Sequence, residues 1–409
     1  MKSLSGYITE AKNTHMEHLE DNVLNNGVKG ARDAINALRS LRDMLAGHGS
    51  KSVDVTVKWD GAPAIFAGID PTDGKFFVAK KGIFNKNPKI YKTEAEVRAD
   101  TSGDLADKLT LALNHLPELG IKSGVYQGDF LYSNSDLKKE TIDGEVMVTF
   151  HPNTIVYAVP YTSDLGRRIR SSKIGIVWHT TYTGDSFESM KASFGKSIAN
   201  KFKNSKNVWS TDAMFQDVSG SATFTQKETD YITKYLSQAG KVFRALHAPT
   251  LNGISKNEEL LLLVKTHYNS KVRAGQKVTN VNAHVNDLMK FITDRYQKEI
   301  DKRKTQKGKD AQTEKMKKLM KFFSTTNRKN LASIFLMMNY IIDAKEFIIR
   351  KLDSASSIGT LLRTADGFRV TSPEGYVAID RIGNALKLVN RMEFSKANFS
   401  SDIIKGWQK

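Results

Sequence analysis

Lys58 and Asp60 flank a tryptophan and are followed at once by Gly61, at the end of a run in which Val53, Val55 and Val57 alternate with Asp54 and Thr56. The alternation predicts a half-buried strand over 53–58 with Lys58 on its solvent phase. A second apolar run, Ala62 to Ala67, begins immediately, so an amine and a carboxylate stand at a tight corner between two strands. An amine so placed can attack the α-phosphate of a nucleotide and hold the nucleotidyl group as a phosphoramidate. The attack requires the neutral amine, whose pKa must fall from about 10.4 through nearby cations or desolvation. Gly61 leaves room for the chain to pass close to a ligand. The plainer alternative is a solvated turn lysine.

Other residues of this kind follow in order. "FFVAKKG" carries Lys80 and Lys81 before Gly82, "GVYQGDFLY" carries Gly128-Asp129, and "NTIVYAVPY" carries Tyr157. Glu374-Gly375-Tyr376-Val377 comes late, and "ALKLVNR" supplies Lys387. On these five stretches, over about residues 50–165 and 367–398, the sequence resembles the covalent nucleotidyltransferase superfamily of polynucleotide ligases and capping enzymes. It is nearest to phage-type RNA ligases, since the 22 residues after Lys387 leave no room for an oligonucleotide-binding barrel.

The resemblance implies Lys58 as nucleophile in a Lys-x-Asp-Gly motif and Glu374 in a Glu-Gly-x-Val motif. Lys80, Lys387 and Arg391 would neutralise charge on the α-phosphate and pyrophosphate. Asp60 and Glu374 would hold a metal or orient the amine, and Asp129 would sit near the ribose or a metal. Tyr157 would stack on the base, and Gly61 would border the nucleotide. The implied cofactors are ATP and Mg²⁺ or Mn²⁺, and the implied reaction joins a 5′-phosphate to a 3′-hydroxyl, with RNA favoured over DNA. Two positions depart from the family: Asp129 stands where ligases have Glu, and Val389 where a second lysine is usual, leaving Arg391 or Lys396 to stand in. Gly144-Glu145 competes with Gly128-Asp129 for the third motif. A DNA nick-sealing ligase and an inactive nucleic-acid-binding protein with this fold are the alternatives. His179 in "IVWHTTY" has no partner histidine at metal-ligand spacing and reads as structural or substrate-contacting.

These residues need elements to hold them. Strand patterns lie at 53–58, 62–69, 75–80 and through 124–182, with amphipathic helices over 12–47 and 102–115. From about 185 long helical patterns dominate, and strand character returns after 367 in "GFRVTS", "EGYVAID" and "ALKLVNRMEF". The expected fold is α+β: a ligase-like nucleotidyltransferase core of mostly antiparallel sheets over 11–184 and 367–409, interrupted by a basic helical insertion over 185–366. Its 409 residues exceed the size at which a single core usually stops growing.

The 62 basic and 44 acidic residues give a net charge of +18, which favours a polyanionic partner, nucleic acid first. Residues 298–330 concentrate that charge, and the stretch from Lys302 to Lys321 is the expected contact for RNA phosphates. Cysteine is absent, which excludes disulfides, thiolate metal sites and cysteine nucleophiles. No apolar stretch is long enough to span a membrane. The opening "MKSLSGYITEA" resembles the leaders of capsid-internal proteins of large tailed bacteriophages, with Ile8-Thr9-Glu10 matching the prohead protease pattern. That resemblance implies cleavage after residue 10, residence in the capsid interior and then the host cytoplasm, and RNA repair as one use.

Overall fold

Alternating apolar residues build three sheets, and the strand that ends in Lys58 belongs to the smallest of them. The computed structural model describes residues 18–47, 53–194, 198–213, 223–354, 358–371, 374–380 and 385–408. The expected leader, 1–10, lies outside them. The fold is mixed α+β. Among the described residues its strand pairs are antiparallel apart from one, β8 (Ile174–Thr183) with β10 (Val208–Asp212).

The largest sheet runs β10–β8–β4–β2–β3, where β2 is Ala64–Ile69, β3 Phe76–Ala79 and β4 Val125–Ser133; β9 (Lys191–Phe194) pairs with β8. On one face it buries Ile65, Val78, Phe130 and Trp178 with Leu109 and Leu116, from helix α3 (Gly103–His115) and the short turn after it. The preceding helix, α2 (Glu94–Asp100), starts at a capping box between Thr93 and Glu96. A second sheet runs β12–β11–β7–β6–β5: β5 (Lys138–Ile142), β6 (Glu145–Phe150), β7 (Ile155–Pro160), β11 (Gly359–Thr364) and β12 (Gly367–Val370). The two sheets meet over a core of Leu131, Tyr132, Val177 and Trp209 from the first and Val148, Phe150, Tyr157 and Val159 from the second.

The third sheet, β1–β13–β14, joins β1 (Val53–Lys58), β13 (Gly375–Asp380) and β14 (Ala385–Leu388). It packs on the helices instead. Val55, Tyr376 and Leu388 share one core with α1 (Asp21–Leu45), α5 (Gln226–Ala245), α6 (Ala248–Lys256), α7 (Glu258–Arg273), α8 (Val281–Asp301) and α10 (Thr325–Asp353). Helix α10 supplies the central stripe, with Leu331, Ile334, Met338, Ile341, Ile348 and Leu352 fully buried. Burial of each such side chain contributes about 1.5–3 kcal/mol.

The helices of the expected insertion therefore occupy a narrower span, from Gln226 to Asp353. Residues within 185–366 also form β9 and β10 of the large sheet and β11 of the second. The expected strand through "NRMEF" is instead helix α11 (Arg391–Phe399). Asn390 accepts from the Glu393 amide and donates to its carboxylate, a reciprocal cap that turns the chain helical. The N-terminal helix starts at Asp21 and kinks at Gly27, whose φ of +58° lies in the left-handed region.

Two histidine rings lie against each other, tilted, inside the helical core. His267 and His284 have ring centroids 4.7 Å apart, and His284 also meets Tyr268 and Phe335 edge-on. Burial pushes His284 down to about 4, and the neighbouring His267 and Lys271 add to the effect while Asp287 opposes it. A folded-state pKa below the unfolded value of about 6.5 means that the unfolded chain binds more protons between the two values. Stability should therefore fall as pH drops from about 6.5 toward 4. His284→Phe should flatten that slope, as read by urea unfolding across the pH range.

Candidate active site

Antiparallel pairing of β1 with β13 sets Lys58 opposite Gly375, which brings Glu374 to the amine from 316 positions away. The Lys58 ammonium and the Glu374 carboxylate form an ion pair with side-chain exposures of 24% and 10%. Burial pushes the Glu374 carboxyl up to about 7 against the pull of Lys58, and the nearby Asp60 and Asp129 push in the same direction.

Two glycines make the geometry possible. Gly375 has φ +142°, and a Cβ there would lie 2.5 Å from Leu388 O and 2.8 Å from Val389 Cγ2. At Gly61 a Cβ would lie 2.5 Å from the Cβ of Asp129 and 3.0 Å from Phe130 O. The corner after Lys58 thus lies directly against β4. Gly61→Ala should part the corner from Asp129, which thermal melting would report as lost stability.

Asp129 pairs with Ala64 across β2–β4 and is 21% exposed. Its Oδ1 lies 3.8 Å from His179 Nε2. His179 owes this position to a β-bulge. Gln127 pairs with Thr180 and Gly128 with Trp178, leaving His179 as the extra residue on β8. Its Nδ1 lies 2.8 Å from Thr180 Oγ1. Strand alternation carries no signal for such an insertion, which is why spacing alone leaves His179 unassigned.

Asp60 faces elsewhere. It is buried, and both of its oxygens accept hydrogen bonds: Oδ1 from Asn153 Nδ2 at 2.6 Å, Oδ2 from the amides of Thr154 at 2.7 Å and Ile155 at 2.9 Å. The Asp60 amide donates to Tyr157 Oη at 2.7 Å. Tyr157 is 2% exposed, its ring against Trp59 at 4.9 Å and Phe150 at 5.3 Å. The tyrosine is thus part of the wall beneath the corner and offers no open ring face. The C-terminal segment closes over the same turn: Gly406 N donates to Asn153 O, and buried Lys405 donates to Ala397 O, both at 2.6 Å.

The cations are more dispersed. Lys387 pairs with Val377, which pairs with Thr56, so it lies on the same sheet face as Lys58 and two residues along. Val389 lies against Gly375 on that face and is buried. Lys80 pairs with Asp100 at 2.9 Å, a carboxylate shared with Lys89 and Tyr91. Arg391 is taken up by the helical body, bound to Asp21 at 2.8 Å and Asn269 at 2.6 Å. Lys396 falls in α11. Of the competing pair Gly144-Glu145, Gly144 lies with Asp143 in the exposed hairpin turn between β5 and β6, at φ +83°, and the exposed Glu145 opens β6.

Among the described residues no three His, Cys, Asp or Glu side chains converge as a ready metal site, and no helix is long and apolar enough to cross a membrane. Of the carboxylates at the corner, Asp129 is 21% exposed and Glu374 is 10% exposed and paired with Lys58, so a cation there would have to share Glu374 with the amine. The two carboxylates suit Mg²⁺, which commonly takes one or two carboxylates and completes its shell with phosphate oxygens and water.

Comparison with curated proteins and with solved structures gives no match. A family model does match residues 13–403, and with that span covering nearly the whole chain, from α1 to α11, the protein belongs to the family of unknown function DUF6267.

Proposed function

We propose that the protein is an ATP-dependent, RNA-ligase-like nucleotidyltransferase built on a ligase-like core. The observation that carries this reading is the pairing of Lys58 with Glu374, at a corner bordered by Gly61 and Asp129. The Lys58 ammonium first gives one proton to solvent, and the neutral amine so formed attacks the α-phosphorus of the nucleotide. An N–P bond forms, the P–O bond to pyrophosphate breaks, and the amine proton passes to Glu374. The 5′-phosphate of a nucleic acid then displaces the lysine, and a 3′-hydroxyl displaces AMP to close the phosphodiester.

In this reading Glu374 and Asp129 would hold a magnesium ion, which would supply neutralising charge at the phosphates. Lys387 lends positive charge on the same face, and Lys80 joins it on release from Asp100. Asp60 and Tyr157 position the corner instead of meeting a metal or a base, and Arg391 anchors β14 to the helices.

In this reading His179, whose Nε2 lies 3.8 Å from Asp129 Oδ1, closes on that carboxylate and steadies it when the site is loaded. His179→Asn should slow nucleotidylation about 10–100-fold and raise the magnesium concentration needed, as loss of such a supporting partner usually does. Single-turnover rates across a magnesium series check this.

Intact mass of the protein, stripped with pyrophosphate and then offered Mg²⁺ with ATP or GTP, tests the reading. One added nucleoside monophosphate, removed again by pyrophosphate, is expected. No adduct with either nucleotide would overturn it. The buried Tyr157, the withdrawn Arg391 and Val389 would then favour an inactive protein that only binds nucleic acid.

A further inference from the structure

A run of exposed basic residues lies far along the chain from the corner. Helix α9 (Gln306–Met320) follows α8 and packs Leu319 into the helical core, with Met316 and Met320 against it. Its exposed positions and the turns that flank it carry Arg303, Lys304, Lys307, Lys315, Lys318 and Lys321, outnumbering the exposed Asp310 and Glu314 of the same helix. None of the six has an ion-pair partner among the described residues, whereas Lys302 and Lys317 pair with Glu299 and Glu314. Unpaired like charges repel one another, so a surface of this kind is stabilised by an anion laid across it.

We infer that this side of α9 is a docking surface for the phosphodiester backbone of a polynucleotide. The fit is one of charge and length. The helix rises about 1.5 Å per residue, so Lys307 to Lys318 spans roughly 16 Å, enough for several consecutive phosphates. Five of the six cations are lysines, compact point charges suited to phosphates and poor at reading base edges, so binding is independent of sequence. A membrane is the wrong partner, because the apolar side of the helix that would enter lipid is already packed against the protein core. The inference deepens the ligase-like reading by naming where that enzyme holds its nucleic acid, and it has a readout of its own.

The test is fluorescence anisotropy of the full chain with labelled 5′-phosphorylated single-stranded RNA and DNA of two unrelated sequences, between 50 and 200 mM KCl. The variant is Lys315→Gln, Lys318→Gln and Lys321→Gln together; the control removes the same charge from α5 through Lys227→Gln, Lys234→Gln and Lys241→Gln. Loss of three phosphate contacts should lower the salt slope by about 2 and weaken binding equally for both sequences, with the control near wild type. Unchanged affinity and slope in the α9 variant would overturn the inference, and so would an equal loss in the control. Nucleotide adduct formation, followed by mass on the same samples, should be untouched in the α9 variant. A wild type that binds through α9 but forms no adduct would sink the enzymatic reading alone. One that forms the adduct yet binds no polynucleotide would sink this inference alone.

Discussion

Lys58→Arg should abolish the nucleotide adduct while leaving the fold in place. Arginine keeps a positive charge opposite Glu374 at the same partly exposed position, so the ion pair survives in altered form. It cannot become neutral in a protein, and a permanently charged guanidinium has no lone pair to offer phosphorus. A merely structural lysine would tolerate the exchange; a nucleophile would not. The companion variant, Glu374→Gln, keeps shape but accepts no proton. Adduct formation should then fall about 10²–10⁴-fold, the usual range for loss of a general base. The wild-type rate should rise with pH through about 7, where burial has brought the Glu374 carboxyl, because its anionic form takes the proton. Glu374→Gln should lose that rise. Mass spectrometry of time-quenched samples between pH 6 and 8 measures both. If Lys58→Arg still carries the adduct, the amine at 58 is not the nucleophile.

The strand ending in Lys58 is legible because alternation marks it: β1 spans Val53–Lys58 as its valines predict, and β13 and β14 follow "EGYVAID" and "ALKLV". What alternation cannot supply is pairing partners. That β1 lies between no strands of its own half, and joins instead to β13 across the whole helical span, depends on long-range contacts. The same limit explains Arg391, which spacing places near Lys387 but which a helix start at Asn390 swings toward Asp21 and Asn269. It explains Tyr157 too. An aromatic in "TIVYAV" can face a ligand or a core, and only the meeting of two sheets decides that it faces Trp59 and Phe150. Asp60 was open to two roles for a similar reason: its acceptors' partners at 153–155 lie more than 90 positions away.

Asp60 is where the two roles separate most sharply in experiment. Asp60→Ala removes the acceptor of two backbone amides and of Asn153 Nδ2, in a place with 3% exposure. Each buried donor left unpaired costs about 1–3 kcal/mol, so the loss should be on the order of 3 kcal/mol or more. Chemical denaturation followed by tryptophan fluorescence would register it, since Trp59 is the neighbouring residue. Asp60→Asn behaves differently. Its oxygen can still accept from Thr154 and Ile155, and Asn153 can turn its amide to present oxygen to the new NH₂. Most of the stability should therefore return. If Asp60 positions the corner, adduct formation in Asp60→Asn should stay within about tenfold of wild type, because the corner that carries Lys58 is still tied to the 153–155 turn. If Asp60 ligates metal, the asparagine should lose activity far beyond that while remaining folded. The hydrogen bonds favour the first outcome: a carboxylate that already accepts three donors, at 2.6 to 2.9 Å, has little left to offer a cation.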